Sequence, residues 1–198
     1  LLAFLLVATA LRSTIYNSLN TYIPKYQQDL GVSPAIYGLV MSLFMIATAV
    51  GGVAGSYLAD RVGLRRVLVG SMVLTAVLFL PFVNAQGIAS YAFLVLTGFL
   101  FGPSHTLLVV SGQRRFPQRM AMASGILLGF NFVSGAVGAW LFGFLADRTG
   151  LSIMLGLLPW ALVGASLCAL VAVPRAASEV DWSKGGSAAQ PQSPQRGA

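Results

Sequence analysis

The sequence predicts an all-α membrane protein, with six transmembrane helices arranged as two inverted three-helix repeats. Three observations predict it. The chain is 57% hydrophobic and only 9% charged, with a mean hydropathy of +0.80, where soluble domains carry about 25% charged residues. The segment Leu58-Ala59-Asp60-Arg61-Val62-Gly63-Leu64 returns 87 residues later as Leu145-Ala146-Asp147-Arg148-Thr149-Gly150-Leu151 with one change, and a fixed offset of that size marks an internal repeat. The Lys and Arg residues gather in alternate loops.

A spanning helix needs roughly 20 apolar residues and satisfies its backbone hydrogen bonds internally. The apolar segments are read at about 1–24, 35–58, 67–83, 88–112, 120–145 and 151–173, with the third start placed as early as Leu64. Pro24 and Pro34 flank the first break, Asn84 to Gly87 form the third, and Pro117 precedes the fifth helix. Pro81, Pro103 and Pro159 predict kinks. Residues 1–173 thus form one six-helix bundle, with repeats at about 1–83 and 88–173. Residues 174–198, rich in Ser, Gly, Gln and Pro, form a tail expected to be disordered. Leu1 opens inside an apolar run with no initiator Met and no basic leader, which reads as a piece of a longer protein.

Basic excess marks the cytoplasmic side of a membrane protein. Arg61, Arg65, Arg66, Arg114, Arg115, Arg119, Arg175, Lys184 and Arg196 fall on one side, and Lys25 and Arg148 on the other. That alternation holds for six crossings and fails for five or seven, so both ends are expected in the cytoplasm. Each copy of the repeated turn follows the second helix of a triplet, one triplet beginning inside and the other outside, so the repeats are inverted. Arg65 and Arg66 give way to Ser152 and Ile153 in the second copy, as a non-cytoplasmic loop requires. Inverted three-helix repeats are a recurring build of secondary transporters, with sites near the bilayer midplane. The formal charge of +7 does not point to nucleic acid, because the cations are scattered among short loops without interleaved aromatics. The single Cys168 forms no intramolecular disulfide and reads as lipid-facing or packing.

The pattern Gly-x-x-x-Asp-Arg-x-Gly-x-Arg-Arg, filled by Asp60, Arg61, Gly63, Arg65 and Arg66, resembles the signature loop of the major facilitator superfamily; Ser56 stands at the usual Gly position, with Gly55 beside it. The resemblance implies that these spans correspond to helices seven to twelve of a twelve-helix transporter, with an N-terminal six-helix half as companion. Leu11-Arg12-Ser13, Tyr22-Ile23-Pro24-Lys25-Tyr26 and Ala123-Ser124-Gly125 with Gly129 are similar to the fosmidomycin-resistance-like efflux branch.

Asp60 lies at a helix C-terminus, where the dipole disfavours an anion. It needs a cation, which Arg61, Arg65 or Arg66 can supply, or another helix's N-terminus; a contact made in one conformation and broken in another makes the cluster a conformational latch. The alternative is an orienting loop at the headgroups. Gly63 is expected at positive φ.

Arg12 falls near mid-membrane, where arginine costs at least about 2.5–3.5 kcal/mol, so it must face the bundle interior. Arg12, Tyr16 and Asn20 share one helix face, with Thr9, Ser13 and Asn17 beside them. No acidic residue lies in any expected span. That leaves Arg12 to backbone carbonyls, to an acid in the companion half, or to an anionic substrate group bound through forked hydrogen bonds. His105 is a candidate proton carrier or an interhelical hydrogen bond, and Asn131 a pathway residue or helix glue. Gly51 with Gly55, Gly125 with Gly129, and the ladder Gly135, Ala139, Gly143 predict close-packing faces.

No metal or nucleophile spacing surrounds the sole His, and no phosphate-loop Lys accompanies the glycines. The expected function is non-enzymatic and cofactor-free: alternating-access transport in a bacterial inner membrane, with export of a small, anionic compound or drug in exchange for protons. Organic-anion uptake and a non-transporting membrane partner or sensor are the alternatives.

Overall fold

The computed structural model describes residues 2–84, 87–114 and 117–173. Among them it has six long helices: α1 (Leu2–Asp29), α2 (Pro34–Val62), α3 (Leu64–Asn84), α4 (Ile88–Gln113), α5 (Met120–Thr149) and α6 (Leu151–Ala172), with a 3-10 turn at Pro117–Arg119 before α5. The expected tail at 174–198, with Arg175, Lys184 and Arg196, and also Arg115, lie outside the described residues.

Three boundaries differ from expectation, each for a local reason. Pro24 lies inside α1 rather than ending it. The helix stops instead at Gly31 (φ +77), where the Gly31 N–H bonds the Gln28 carbonyl and the Val32 N–H bonds that of Gln27, the paired closure of a Schellman motif. The repeated turn is also far tighter than a loop. Gly63 alone separates α2 from α3, and Gly150 alone separates α5 from α6. Their φ values are +104 and +90, and their N–H groups close on Ala59 and Ala146 at 2.9 and 2.8 Å. Positive φ at Gly63 is as expected, and only glycine adopts it without strain. Asp60 and Arg61 consequently belong to the last turn of α2, and Arg65 and Arg66 to the first turn of α3.

Among the described residues, five helices are long and apolar enough to cross a membrane: α2, α3, α4, α5 and α6. The 28-residue α1 has the length but carries a polar stripe. That stripe is turned inward: Thr9, Arg12, Ser13 and Ser18 are all buried. A helix enclosed by its neighbours presents those groups to protein rather than lipid, which is where intramembrane polar residues belong.

The helices pack in the spatial order α2, α4, α3, α6, α1, α5, with α2 and α5 at the open ends of a horseshoe. Exchanging α1, α2 and α3 for α4, α5 and α6 leaves this order unchanged when read backwards, the signature of a pseudo-two-fold axis. Because each repeat holds an odd number of crossings, the two run in opposite senses. The axis relates side chains as well: Arg61 lies over the Tyr57 ring at 4.6 Å and Arg148 over the Phe144 ring at 4.2 Å.

Small residues let the outer pairs approach. A Cβ on Gly51 would strike the Phe99 carbonyl, and one on Gly55 would strike Pro103, so α2 and α4 meet backbone to backbone. On the other arm Gly135 and Gly143 of α5 receive Asn17 and Tyr22 of α1, and the Tyr22 hydroxyl donates to the Ala139 carbonyl at 2.9 Å. The expected packing face at Gly125 and Gly129 meets no other helix among the described residues: none of their atoms would lie within 4 Å of a Cβ at either. Both sit on the exposed side of α5, at the mouth of the horseshoe.

Candidate functional site

The horseshoe encloses a cleft of about 450 Å³ between α1, α2, α4 and α5, within the range of small-molecule sites. Its floor is built by α1 and α4. Arg12 is 3% exposed, and its Nε donates to Ser104 Oγ at 2.9 Å. Its Nη1 lies 3.3 Å from His105 Nδ1; arginine only donates, so Nδ1 accepts and the imidazole proton resides on Nε2. Ser104 Oγ in turn donates to the Phe101 carbonyl at 2.6 Å.

Aromatic rings support the guanidinium from beneath. Its carbon sits 4.7 Å from the Phe101 ring centre and 5.6 Å from that of Tyr16, distances at which the ring quadrupole attracts a cation. Tyr16 stacks on Phe101 at 5.8 Å and on Phe44 at 6.5 Å. Phe44 and Phe101 are fully buried, so the cation is held on a rigid apolar platform. The ion pair among the described residues is Lys25 with Asp29, at 3.8 Å on the surface, and no described carboxylate pairs with Arg12.

Of the residues singled out in the sequence, Arg12, Tyr16, Asn17, His105 and Asn131 line this one cleft. Asn20 does not. Its Nδ2 folds back on the Tyr16 carbonyl at 2.8 Å, because one more turn along α1 carries it past the cleft. Asn131 Oδ1 is buried with no hydrogen-bond partner, while the Asn131 carbonyl accepts from Ser13 Oγ. Asn17 Nδ2 donates to the Ser13 carbonyl at 3.0 Å.

Sequence reasoning passed over Phe101 and Ser104. The signal was present, since Phe101, Ser104 and His105 stand at i, i+3 and i+4 on α4 and share a face.

The residues of the signature turn are not gathered around Asp60. Arg61 stacks on Tyr57, Arg65 Nη2 donates to the Leu170 carbonyl at 2.7 Å, and Arg66 Nη1 reaches the Val62 carbonyl at 3.5 Å. Asp60 is exposed and forms no ion pair with a described residue.

Residues 5–194 match the family model of the Major Facilitator Superfamily. The chain belongs to this superfamily. It is 30% identical over 140 residues to the fosmidomycin resistance protein of Escherichia coli K12, a match covering 69% of this chain and 34% of that protein. It is 33% identical over 147 residues to the gallate transporter of Pseudomonas putida, covering 71% and 32%. To the uncharacterized MFS-type transporter YfnC of Bacillus subtilis 168 it is 34% identical over 110 residues, covering 56% and 27%. The matched segments thus span about a third of the length of these relatives. No solved structure matches the chain. Superfamily membership and five helices apolar enough to cross a bilayer make this an integral membrane protein.

Proposed function

We propose that this bundle is the carboxy-terminal half of a secondary transporter that works by alternating access, and that Arg12 holds an anionic group of its small-molecule cargo. The observation that carries the reading is the buried guanidinium without a carboxylate. A cation in a span is costly unless compensated, and the neutral partners Ser104 and His105 leave its charge unmatched. An anion entering the cleft gains charge-assisted hydrogen bonds from a fork already fixed in place. Asn131, with a buried side-chain oxygen lacking a partner, supplies the amide that orients the rest of the ligand. Tyr16 and Asn17 line the same walls.

A second six-helix half closes the open side of the horseshoe. The helices at its mouth are the least enclosed, with 22% of the span residues buried in α5 and 28% in α2, against 44% in α3. The turn at Asp60, Arg61, Gly63, Arg65 and Arg66 acts as the conformational latch: Arg65 ties it to α6 while Asp60 faces outward, open to a cation of another part of the protein in the alternate state. Both ends of the segment face the cytoplasm of a bacterial inner membrane, as the basic loops indicate.

Export is supported by the name of one relative, the fosmidomycin resistance protein; exchange for protons is part of the proposal. Uptake of an organic anion is the second reading, favoured by the name of one relative. The gallate transporter of Pseudomonas putida is named for a carboxylate cargo.

Flux of a panel of carboxylate and phosphonate anions across proteoliposomes holding the complete protein tests this. Arg12→Ala lowers flux of the accepted anion by roughly 10- to 150-fold, the equivalent of a lost hydrogen bond to a charged group. Unchanged flux in Arg12→Ala removes Arg12 from the binding site. An outward-acid gradient that drives anion in selects uptake over exchange.

A further inference from the structure

On the other flank of α2 lies a second groove, separate from the Arg12 cleft. It has a volume of about 370 Å³, with α2 and α3 as walls and α4 as floor. Its depth comes from small residues: Gly51, Ala54 and Gly55 on α2 and Gly70 on α3. Ala54, Gly70 and Leu74 are exposed along it, so it opens sideways, toward what would be lipid around a spanning bundle. The walls are apolar save for Ser71, whose hydroxyl is spent on the Leu68 carbonyl at 2.9 Å, and one charged side chain, Arg66, at the mouth. Arg66 is exposed, and its contact with the Val62 carbonyl, at 3.5 Å, is a long one.

The dimensions fit one leaflet. From Val62 to Gly51 the groove follows α2 for about 16 Å at 1.5 Å per residue, against roughly 15 Å for half the hydrocarbon core. The cation therefore sits at headgroup depth and the closed end near the midplane.

The pseudo-two-fold supplies an internal comparison. At the same 87-residue offset Gly55 becomes Phe142, Gly70 becomes Leu157 and Arg66 becomes Ile153. Gly51 keeps a glycine, Gly138, but Ala54 becomes Leu141, so the repeat that lacks the cation carries bulk at three of the four small positions. Cation and hollow occur together.

We propose that this groove binds one anionic phospholipid from the leaflet that meets the 60–66 turn, its acyl chain lying along Gly51, Ala54 and Gly70 and its phosphate on Arg66. Arginine forks match phosphate oxygens, and basic pockets between transmembrane helices are a known mode of headgroup recognition. An acyl chain fills the apolar length that a free anion leaves empty.

The test uses the complete protein in nanodiscs with phosphatidylglycerol carrying a diazirine on its acyl chain, and maps the cross-links by peptide mass spectrometry. The expected result is labelling concentrated between residues 51 and 74, several-fold weaker with the phosphatidylcholine analogue. Arg66→Gln erases that difference between the two lipids, Arg66→Lys keeps most of it, and Gly70→Leu, which fills the hollow, removes labelling by both. Labelling spread evenly over lipid-facing residues overturns the proposal. So does a preference for phosphatidylglycerol that survives in Arg66→Gln, since that variant removes an exposed side chain and leaves the fold intact.

Discussion

Arg65 Nη2 donates to the carbonyl of Leu170 across 2.7 Å, joining the first turn of α3 to the last turns of α6. The bond places a cation on a helix C-terminus, where unpaired carbonyls and the dipole both favour it. It lies at an exposed rim, so the gain is modest. Arg65→Ala destabilises the protein by about 1 kcal/mol, read as a drop of roughly 2–4 °C in the thermal midpoint of the detergent-purified protein. Arg65→Lys recovers part of the loss.

Gly51 and Gly164 give opposite responses to the same substitution. A Cβ at Gly51 meets backbone of Phe99, which cannot rotate away, whereas nothing lies within 4 Å of one at Gly164. Gly51→Ala forces α2 from α4 and costs about 1–3 kcal/mol or more. Gly164→Ala is neutral or stabilises α6 by up to about 1 kcal/mol through helix propensity. Thermal unfolding of the two variants in the same detergent separates them.

Gly63→Ala introduces a side chain at φ +104 and ψ 134, a region held essentially by glycine. The strain is about 1–3 kcal/mol. Gly150→Ala, at φ +90 and ψ 152, suffers a similar loss, because the two positions are related by the repeat. Comparable drops in midpoint for both are expected, and a loss confined to one denies their equivalence.

Ser104 is the acceptor that Arg12 Nε uses, so Ser104→Ala leaves a buried donor unpaired. The expected cost is about 1–3 kcal/mol, again read from thermal unfolding. Ser104→Thr, which keeps the hydroxyl, retains most of the stability.

Much of the architecture was legible because it rests on period and repetition. The 87-residue echo of Leu58 to Leu64 reports the pseudo-symmetry directly, and the intramembrane Arg12 reports an interior face through the cost of exposing it to lipid. What escaped was set by local closure or tertiary distance. Pro24 looked like a helix end, yet Gly31 supplied the geometry that stops α1. Gly125 and Gly129 carry a packing spacing, but spacing does not say whether a partner helix is present. Asn20 falls on the Arg12 face of α1, one turn too far along to line the cleft. The arginines near Asp60 are adjacent in sequence but were drawn to Tyr57, Val62 and Leu170 by nearer acceptors and rings.

Every functional reading of the Arg12 cleft depends on two triplets crossing the bilayer in opposite senses, which places the Gly63 and Gly150 turns on opposite faces. Val62 and Thr149 occupy equivalent, exposed positions beside those turns. In a Cys168→Ser background, Val62→Cys and Thr149→Cys are treated with a membrane-impermeant thiol reagent, on intact cells and on inside-out vesicles. The cysteine at 149 should react only in cells and the cysteine at 62 only in vesicles. Reaction of both from the same side would contradict the inverted repeat and the cleft built on it.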